Sequence, residues 1–399
     1  MAEPLRIAIS AGELSGDEHG AALARALRAC SPDVSLRGMG GKNLRDANVT
    51  TDVDCEKSGA LMGFYEVFRG FANVFRAMRE MKKLLREWRP HLLILIDYPD
   101  FNLRLAAYAK KLGIPVFYYI PPKVWVWRAH RVKKLIALVD RIALVFPHER
   151  AFLESRGYHR ASYVGHPFVD TLAARVGADG AARTRARQAL GIEEDRCAVA
   201  LFPGSRKSEV ARNLKNMLDG FRLLKKKIPD LCGIIPLPAT LKKDSISTQI
   251  RPDDDISITD GRSLDVLRAC DVGLLKSGTS NLQAAFVGLP FVMFFIPPRV
   301  GAAILRVLTY INEFSPVNIV RPHTVVELIQ GQASPQNIAS HLEDLLLNKE
   351  KREALQQGLA DVVKKLSSYD REPGFEKCHT SYERVAEMVL QEVARSAGH

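Results

Sequence analysis

The sequence has no closely spaced cysteines. Its six, Cys30, Cys55, Cys197, Cys232, Cys270 and Cys378, never form a C-x-x-C element, which argues against a disulfide framework or a structural zinc site. No run of about 18 apolar residues occurs, so no membrane-spanning helix is expected. The opening MAEPLRIAISAGELSGD is interrupted early by Glu13 and Asp17 and carries no apolar stretch of signal-peptide length. Internal repeats and low-complexity tracts are absent. So are zinc-finger spacing and an aromatic-rich RNA motif, which makes nucleic acid the weakest candidate partner. The histidines form no pair at metal-binding helical spacing, and His148 in FPHER and His166 in VGHPFVD read as structural. The expectation is a cytoplasmic protein with free thiols and no bound metal or cofactor.

What is present is a globular mixture. The chain has 399 residues, 47% hydrophobic and 26% charged, a size that suits two domains rather than one core. The formal net charge is +12. Phosphate-bearing substrates or an anionic lipid surface would both answer it.

Short apolar runs alternate with helical patterns, the signature of a parallel α/β sheet. Strands are expected at Leu5 to Ser10, Val34 to Arg37, Leu92 to Ile96, Val116 to Ile120, Arg141 to Phe146 and Ala161 to Val164. The LLILI run from Leu92 is apolar on both faces, as a central parallel strand must be. The pattern pauses between Leu172 and Asp195. A second series follows at Cys197 to Phe202, Gly233 to Leu237, Ile256 to Thr259, Val272 to Leu275 and Phe291 to Phe295. The reading is a first Rossmann-like domain over residues 1–172, a second over 195–345, and helices over 346–399 that can return to the first domain. Ligands of such sheets bind beyond the carboxyl ends of the strands, so the loops there are the ones to read.

Four loops stand out. Gly12 to Gly16 (GELSG) joins the first strand to a helix, offering Ser15, Gly16 and unpaired backbone N–H groups to an anion or a sugar oxygen. It is not the G-x-G-x-x-G of dinucleotide sites, and a plain turn capped by Ser15 or Asp17 is the bland alternative. Gly204-Ser205-Arg206 follows a strand of the second series. Backbone donors plus a guanidinium suit a diphosphate. Ser277-Gly278-Thr279 opens another helix and suits phosphate in the same way, or is simply an N-cap. Asp97 and Asp100 stand at the mouth of the LLILI strand, where one carboxylate could take a proton from an attacking hydroxyl while the other caps a helix.

A further stretch, Gly63 to Trp88, is amphipathic. Phe64, Phe68, Phe71 and Phe75 recur on one helix face among Arg69, Arg76, Arg79, Lys82 and Lys83. Aromatics beside basic residues are what a helix needs to lie on anionic lipid; the alternative is a face packed on the sheet.

These residues fall in stretches that together resemble the bacterial lipid-A-disaccharide synthases: AGELSGDEHGA, GFYEV, DYPDFN, KVWVWRAHRVKK, FPHERAF, YVGHPFVD, FPGSRKSEV, KSGTSNLQAA and ELIQGQASPQNIA, in family order from about Ile9 to Ile338. The resemblance implies a GT-B fold of two Rossmann-like domains facing across a cleft. It implies an inverting, metal-independent transfer of 2,3-diacylglucosamine from UDP to lipid X (2,3-diacylglucosamine 1-phosphate) at the inner face of the cytoplasmic membrane, giving lipid A disaccharide 1-phosphate and UDP. By motif, Asp100 becomes the general base, and Glu13 faces the same cleft as a second catalytic residue. Arg206 and the Ser277–Thr279 loop hold the diphosphate, and Asn318 in SPVNIV lies near the nucleotide-sugar. The chain departs from the family pattern at Gln283, where a glutamate suited to the ribose is usual, at Pro121-Pro122-Lys123, and at Val320-Arg321-Pro322-His323. Those departures keep two alternatives open: a related transferase with another donor or acceptor, or a silent UDP-binding relative. Pairing as a homodimer is also compatible with the sequence.

Overall fold

The structure, a computed structural model, describes residues 4–56, 67–122, 131–176, 181–238, 241–297 and 313–397. The chain divides into two compact units. The first takes residues 1–170 and 366–399, the second residues 171–365. The sequence reading differs from this at the tail: residues 346–365 pack with the second unit, and only from Leu366 does the chain belong to the first.

Among the described residues of the first unit, seven strands form one parallel sheet. They are β1 (Arg6–Ala11), β2 (Ser35–Gly40), β3 (Thr50–Asp54), β4 (Leu92–Ile96), β5 (Val116–Tyr119), β6 (Arg141–Leu144) and β7 (Ala161–Tyr163). Their order is β3-β2-β1-β4-β5-β6-β7. All five residues of β4 are buried, because β1 and β5 flank it and helices cover both faces. Leu93 and Leu95 enter one core with Met81 and Leu85 of the Val67–Trp88 helix and with Leu105 and Ala109 of the Pro99–Lys111 helix. β3 was not expected: its TTDVD sequence buries only Val53, and as an edge strand it needs no apolar run.

The chain from Leu366 is built into this unit. Tyr163 Oη donates to Leu366 O, and Tyr163 N–H to the Asp370 carboxylate. Arg384, almost fully buried, donates to Val164 O. The Ser381–Ala397 helix packs on the Leu14–Cys30 helix, where His19 Nδ1 and Tyr382 Oη lie 3.0 Å apart. Burial lowers the His19 pKa to about 4. His166 is structural too: its backbone N–H donates to Leu366 O and its Nδ1 accepts from Phe168 N–H.

The second unit repeats the design. β8 (Ala198–Phe202), β9 (Cys232–Leu237), β10 (Ile256–Asp260), β11 (Val272–Lys276), β12 (Phe291–Phe295) and β13 (Glu327–Ile329) run parallel in the order β10-β9-β8-β11-β12-β13. β13, three residues at the edge, carried no apolar run to announce it. The helices Pro167–Val176 and Ala182–Leu190 occupy the stretch that the sequence left without strands.

In both sheets the strand order reverses once, between β1 and β4 and between β8 and β11. There the two flanking connections leave in opposite directions and open a crevice at the strand ends. Every candidate loop named above except the one holding Asn318 begins at one of those four strand ends. Among the described residues, no helix is long and apolar enough to cross a membrane.

Candidate active site

At the reversal point of the first sheet, the chain leaves β1 through Gly12 and Glu13. Glu13 is the N-cap of the Leu14–Cys30 helix, with an extended backbone and no side-chain cap bond. Neither Ser15 nor Asp17 caps this helix, which corrects the turn-and-cap alternative. Ser15 is exposed and Gly16 buried in its first turn. Asp17 is fully buried and turns toward the neighbouring loop, accepting from the N–H groups of Gly41 (2.6 Å), Asn43 (2.8 Å) and Leu44 (3.2 Å). It therefore caps the short Lys42–Asp46 helix and holds the loop after β2.

β4 ends in a sharp elbow. Asp97 (φ 47°) and Tyr98 (φ 46°) are both left-handed. Asp tolerates that region through its short polar side chain, but Tyr does not, and such residues cost on the order of 1–3 kcal/mol each. Tyr98 is the N-cap of the Pro99–Lys111 helix, so neither aspartate is; Asp100 stands exposed in the first turn. The Tyr98 ring lies over Gly12 so closely that a Cβ there would fall 2.2 Å from its Cδ1. It also stacks on Phe101 at 5.4 Å. Burial, and then the charges of Glu13 and Asp100, push the Tyr98 hydroxyl pKa up. The two carboxylates singled out from sequence thus act on one phenol. Glu13 follows the end of β1 and Asp100 the end of β4, the two strands that pair at this reversal point.

The reversal point of the second sheet is different. β8 leads through Pro203 and Gly204 to Arg206, the exposed N-cap of the Lys207–Lys225 helix. Gly204 has φ 126°, and a Cβ on it would meet Glu209 Oε2 at 2.7 Å, so glycine is required here. Ser205 N–H donates to that same oxygen. Across the reversal point, Lys276 at the end of β11 reaches Glu209 Oε1 at 3.0 Å. Burial would raise the Glu209 pKa, but Lys276 and the Ser205 and Arg206 backbone N–H groups outweigh it and the carboxylate stays below its usual range. Glu209 and Lys276 therefore tie the Gly204–Arg206 turn to the Lys276–Thr279 turn. The sequence spacing named both turns as phosphate loops but did not show what joins them.

In the second turn, Ser277 spends its hydroxyl on Phe314 O at 2.7 Å. Gly278 is the N-cap and Thr279 the exposed first residue of the Thr279–Val287 helix. Gln283 lies one turn further, partly exposed. Asn318 is turned into the protein. It is buried, its amide donates to Val325 O (2.9 Å) and Glu327 Oε1 (2.8 Å), and its oxygen accepts from Val325 N–H. Glu327 also accepts from the N–H groups of Phe314 and Ser315, and burial raises its pKa. Asn318 thus anchors the loop that receives Ser277, and its polar atoms face protein. The carboxamide in the sequence could not reveal this, because its partner Glu327 lies in the strand that the sequence hid.

Of the aromatic face, Phe75 is 67% exposed. Phe64 lies outside the described residues, as do the side chains of Phe68 and Phe71.

Two parallel α/β units of this design are the halves of a GT-B fold. Solved structures agree on the fold. The UDP-GlcNAc 2-epimerase of Neisseria meningitidis bound to UDP-GlcNAc is similar over 97% of this chain and 99% of that one (TM-score 0.59, 13% identity). The S. aureus MnaA–UDP co-structure is similar over 98% and 97% (TM-score 0.65, 12% identity). The MurG of Acinetobacter baumannii is similar over 97% and 100% (TM-score 0.58, 11% identity). Within that fold class, residues 7–373 match the lipid-A-disaccharide synthetase family, and the chain belongs to it. Its sequence is 40% identical to the lipid-A-disaccharide synthase of Trichlorobacter lovleyi over 368 residues, 92% of this chain and 94% of that protein. It is 37% identical to that of Syntrophus aciditrophicus over 393 residues, 98% of each.

Proposed function

We propose that the protein transfers 2,3-diacylglucosamine from UDP to the 6-hydroxyl of lipid X with inversion, forming lipid A disaccharide 1-phosphate and releasing UDP. The carrying observation is that the two reversal points hold complementary chemistry: carboxylates around Tyr98 in one unit, and the two turns joined by Glu209 and Lys276 in the other. In this reading Asp100 takes the acceptor proton and Glu13 supports it. Arg206, with the helix starts at Ser205 and at Gly278–Thr279, holds the diphosphate and stabilises its growing charge as UDP departs. Gln283 reaches the nucleotide, and Ser15 and Gly16 present backbone N–H groups to the acceptor. The family match supports the substrates.

The test is UDP release by the purified protein in detergent with both lipid substrates and no added metal. Release that depends on lipid X, with a disaccharide seen by mass spectrometry, supports the reading. UDP binding without release at several acyl lengths counts for a silent relative.

The Val67–Trp88 helix supports docking on the inner face of the cytoplasmic membrane. It shows an exposed Phe75 beside Arg76 and Arg79, and apolar area plus anionic-lipid attraction is what holds an interfacial helix. Replacing Phe68, Phe71 and Phe75 with Ser should reduce sedimentation with anionic vesicles and leave the fold intact; unchanged sedimentation would count against docking. A homodimer belongs to the same reading, and sedimentation velocity tests it.

A further inference from the structure

We propose that Tyr118 and Asn102 are positioning residues for sugar transfer, acting on Asp100 through the left-handed elbow at Asp97–Tyr98. The proposal rests on Asp100 being the base. An elbow of two consecutive left-handed non-glycine residues persists only where its surroundings hold it, and here the holding groups are visible. The carbonyl of Asp97 accepts from Tyr118 Oη at 2.7 Å and from Asn102 Nδ2 at 2.7 Å. Asn102 Nδ2 also lies 3.2 Å from Ile96 O and 3.4 Å from Ser10 O. Its Oδ1 accepts from Ser10 Oγ at 2.6 Å, and its backbone N–H donates to Tyr98 O at 3.0 Å. Both clamping side chains are fully buried. Burial and the nearby Asp97 raise the Tyr118 hydroxyl pKa far above neutrality, so this phenol stays a donor at every working pH.

The geometry transmits the clamp directly. Asp100 sits two residues after Tyr98 and two before Asn102, in the first turn of the Pro99–Lys111 helix. The elbow sets where that turn begins, and the Pro99 ring limits how it can relax. If the Asp97 carbonyl loses a donor, the peptide can rotate toward the right-handed region, and the Asp100 carboxylate swings with it. A misplacement on the order of 1 Å at a reacting group can cost about a hundredfold in rate. Tyr118 does this from β5, a strand that contributes none of the residues assigned to chemistry.

The discriminating pair is Tyr118→Phe and Tyr158→Phe. Both remove one buried phenol hydroxyl that donates to a backbone carbonyl of the first unit, Tyr158 to Val139 O at 3.1 Å, but only the first removes a donor to Asp97. Tyr118→Phe should lower kcat at least tenfold, with KM for both lipids within twofold and UDP affinity unchanged. Tyr158→Phe should leave kcat within twofold of the wild type. A Tyr118→Phe kcat within twofold of the wild type, or equal losses in the two variants, would overturn the proposal. Hydrogen exchange at the Asn102 backbone N–H reads the elbow without turnover. Exchange should accelerate about tenfold or more in Tyr118→Phe and stay unchanged in Tyr158→Phe; unchanged exchange in Tyr118→Phe overturns the clamp. If the wild type itself makes no disaccharide, the functional reading fails, and the exchange comparison still decides the clamp.

Discussion

The two units share a topology and differ in what they place at its reversal point. The first sets carboxylates on a strained elbow between β1 and β4. The second sets glycine and serine turns, a guanidinium and a buried-side ion pair between β8 and β11. In the proposed function one end moves a proton and the other holds an anion. A doubly wound sheet fixes where a ligand meets the protein; the few residues after each strand decide what is done to it.

The comparison is broken most severely at Asp100. Asp100→Asn should lower turnover by about 10²–10⁴-fold while UDP affinity, which the proposed function assigns to the other unit, is retained. Isothermal titration beside the UDP-release assay checks both halves. Joint loss of turnover and UDP binding would remove the division of labour between the units.

Next is the second unit's own strap. Glu209→Gln and Lys276→Met should each weaken UDP binding by about tenfold, roughly 1.4 kcal/mol. The double variant should be little worse than either single one, because residues in one pair couple by about 0.5–3 kcal/mol. Additive losses would mean that the two turns are held independently.

Glu209 and Lys276 also mark how much the sequence disclosed. Strands such as LLILI were readable because burial on both faces leaves an unbroken apolar run. The loops were readable because glycine, serine and charge cluster after such runs. β3 and β13, at sheet edges, carry no such run, and with β13 went Glu327, the partner that takes Asn318 out of solvent. The bond between Glu209 and Lys276 spans 67 positions, and no local pattern encodes it. The elbow was hidden as well: Asp97-Tyr98-Pro99 announces an abrupt strand end, but not that two residues turn left-handed there.

Smaller effects sharpen the contrast. Gly12→Ala drives a methyl into the Tyr98 ring. It should lower kcat and the thermal midpoint by several degrees, whereas Gly278→Ala, with open space around its Cβ, should leave the midpoint nearly unchanged. Differential scanning calorimetry of the two variants checks this.

The units should also part company in acid. His19 is held neutral in the folded first unit, with its pKa lowered from 6.5 to about 4. The unfolded chain therefore gains a proton first, and the first unit loses stability as pH falls from 6.5 toward 4, by at most about 3 kcal/mol. Glu209, with its pKa below the usual 4.5, withdraws its contribution in the second unit only at lower pH. Thermal melts between pH 7 and pH 4 should show the first unit weakening earlier, and His19→Gln should flatten that slope. Parallel weakening of both units, unaltered in the variant, would sink the assignment.

The return of the chain at Leu366 has a consequence for how the protein is made. Strands β1 to β7 leave the ribosome first, yet the Leu14–Cys30 helix finds its Ser381–Ala397 partner only after the whole second unit has been synthesised. At about 5–20 residues per second, those roughly 200 intervening residues take on the order of 10–40 s. During that interval the Leu14–Cys30 helix lacks the C-terminal helix that packs on it, while the second unit already has every residue it needs to close its own core. The inserted unit can thus be finished before the one that contains it, and nascent chains halted before Leu366 are the ones on which a chaperone would have a surface to hold.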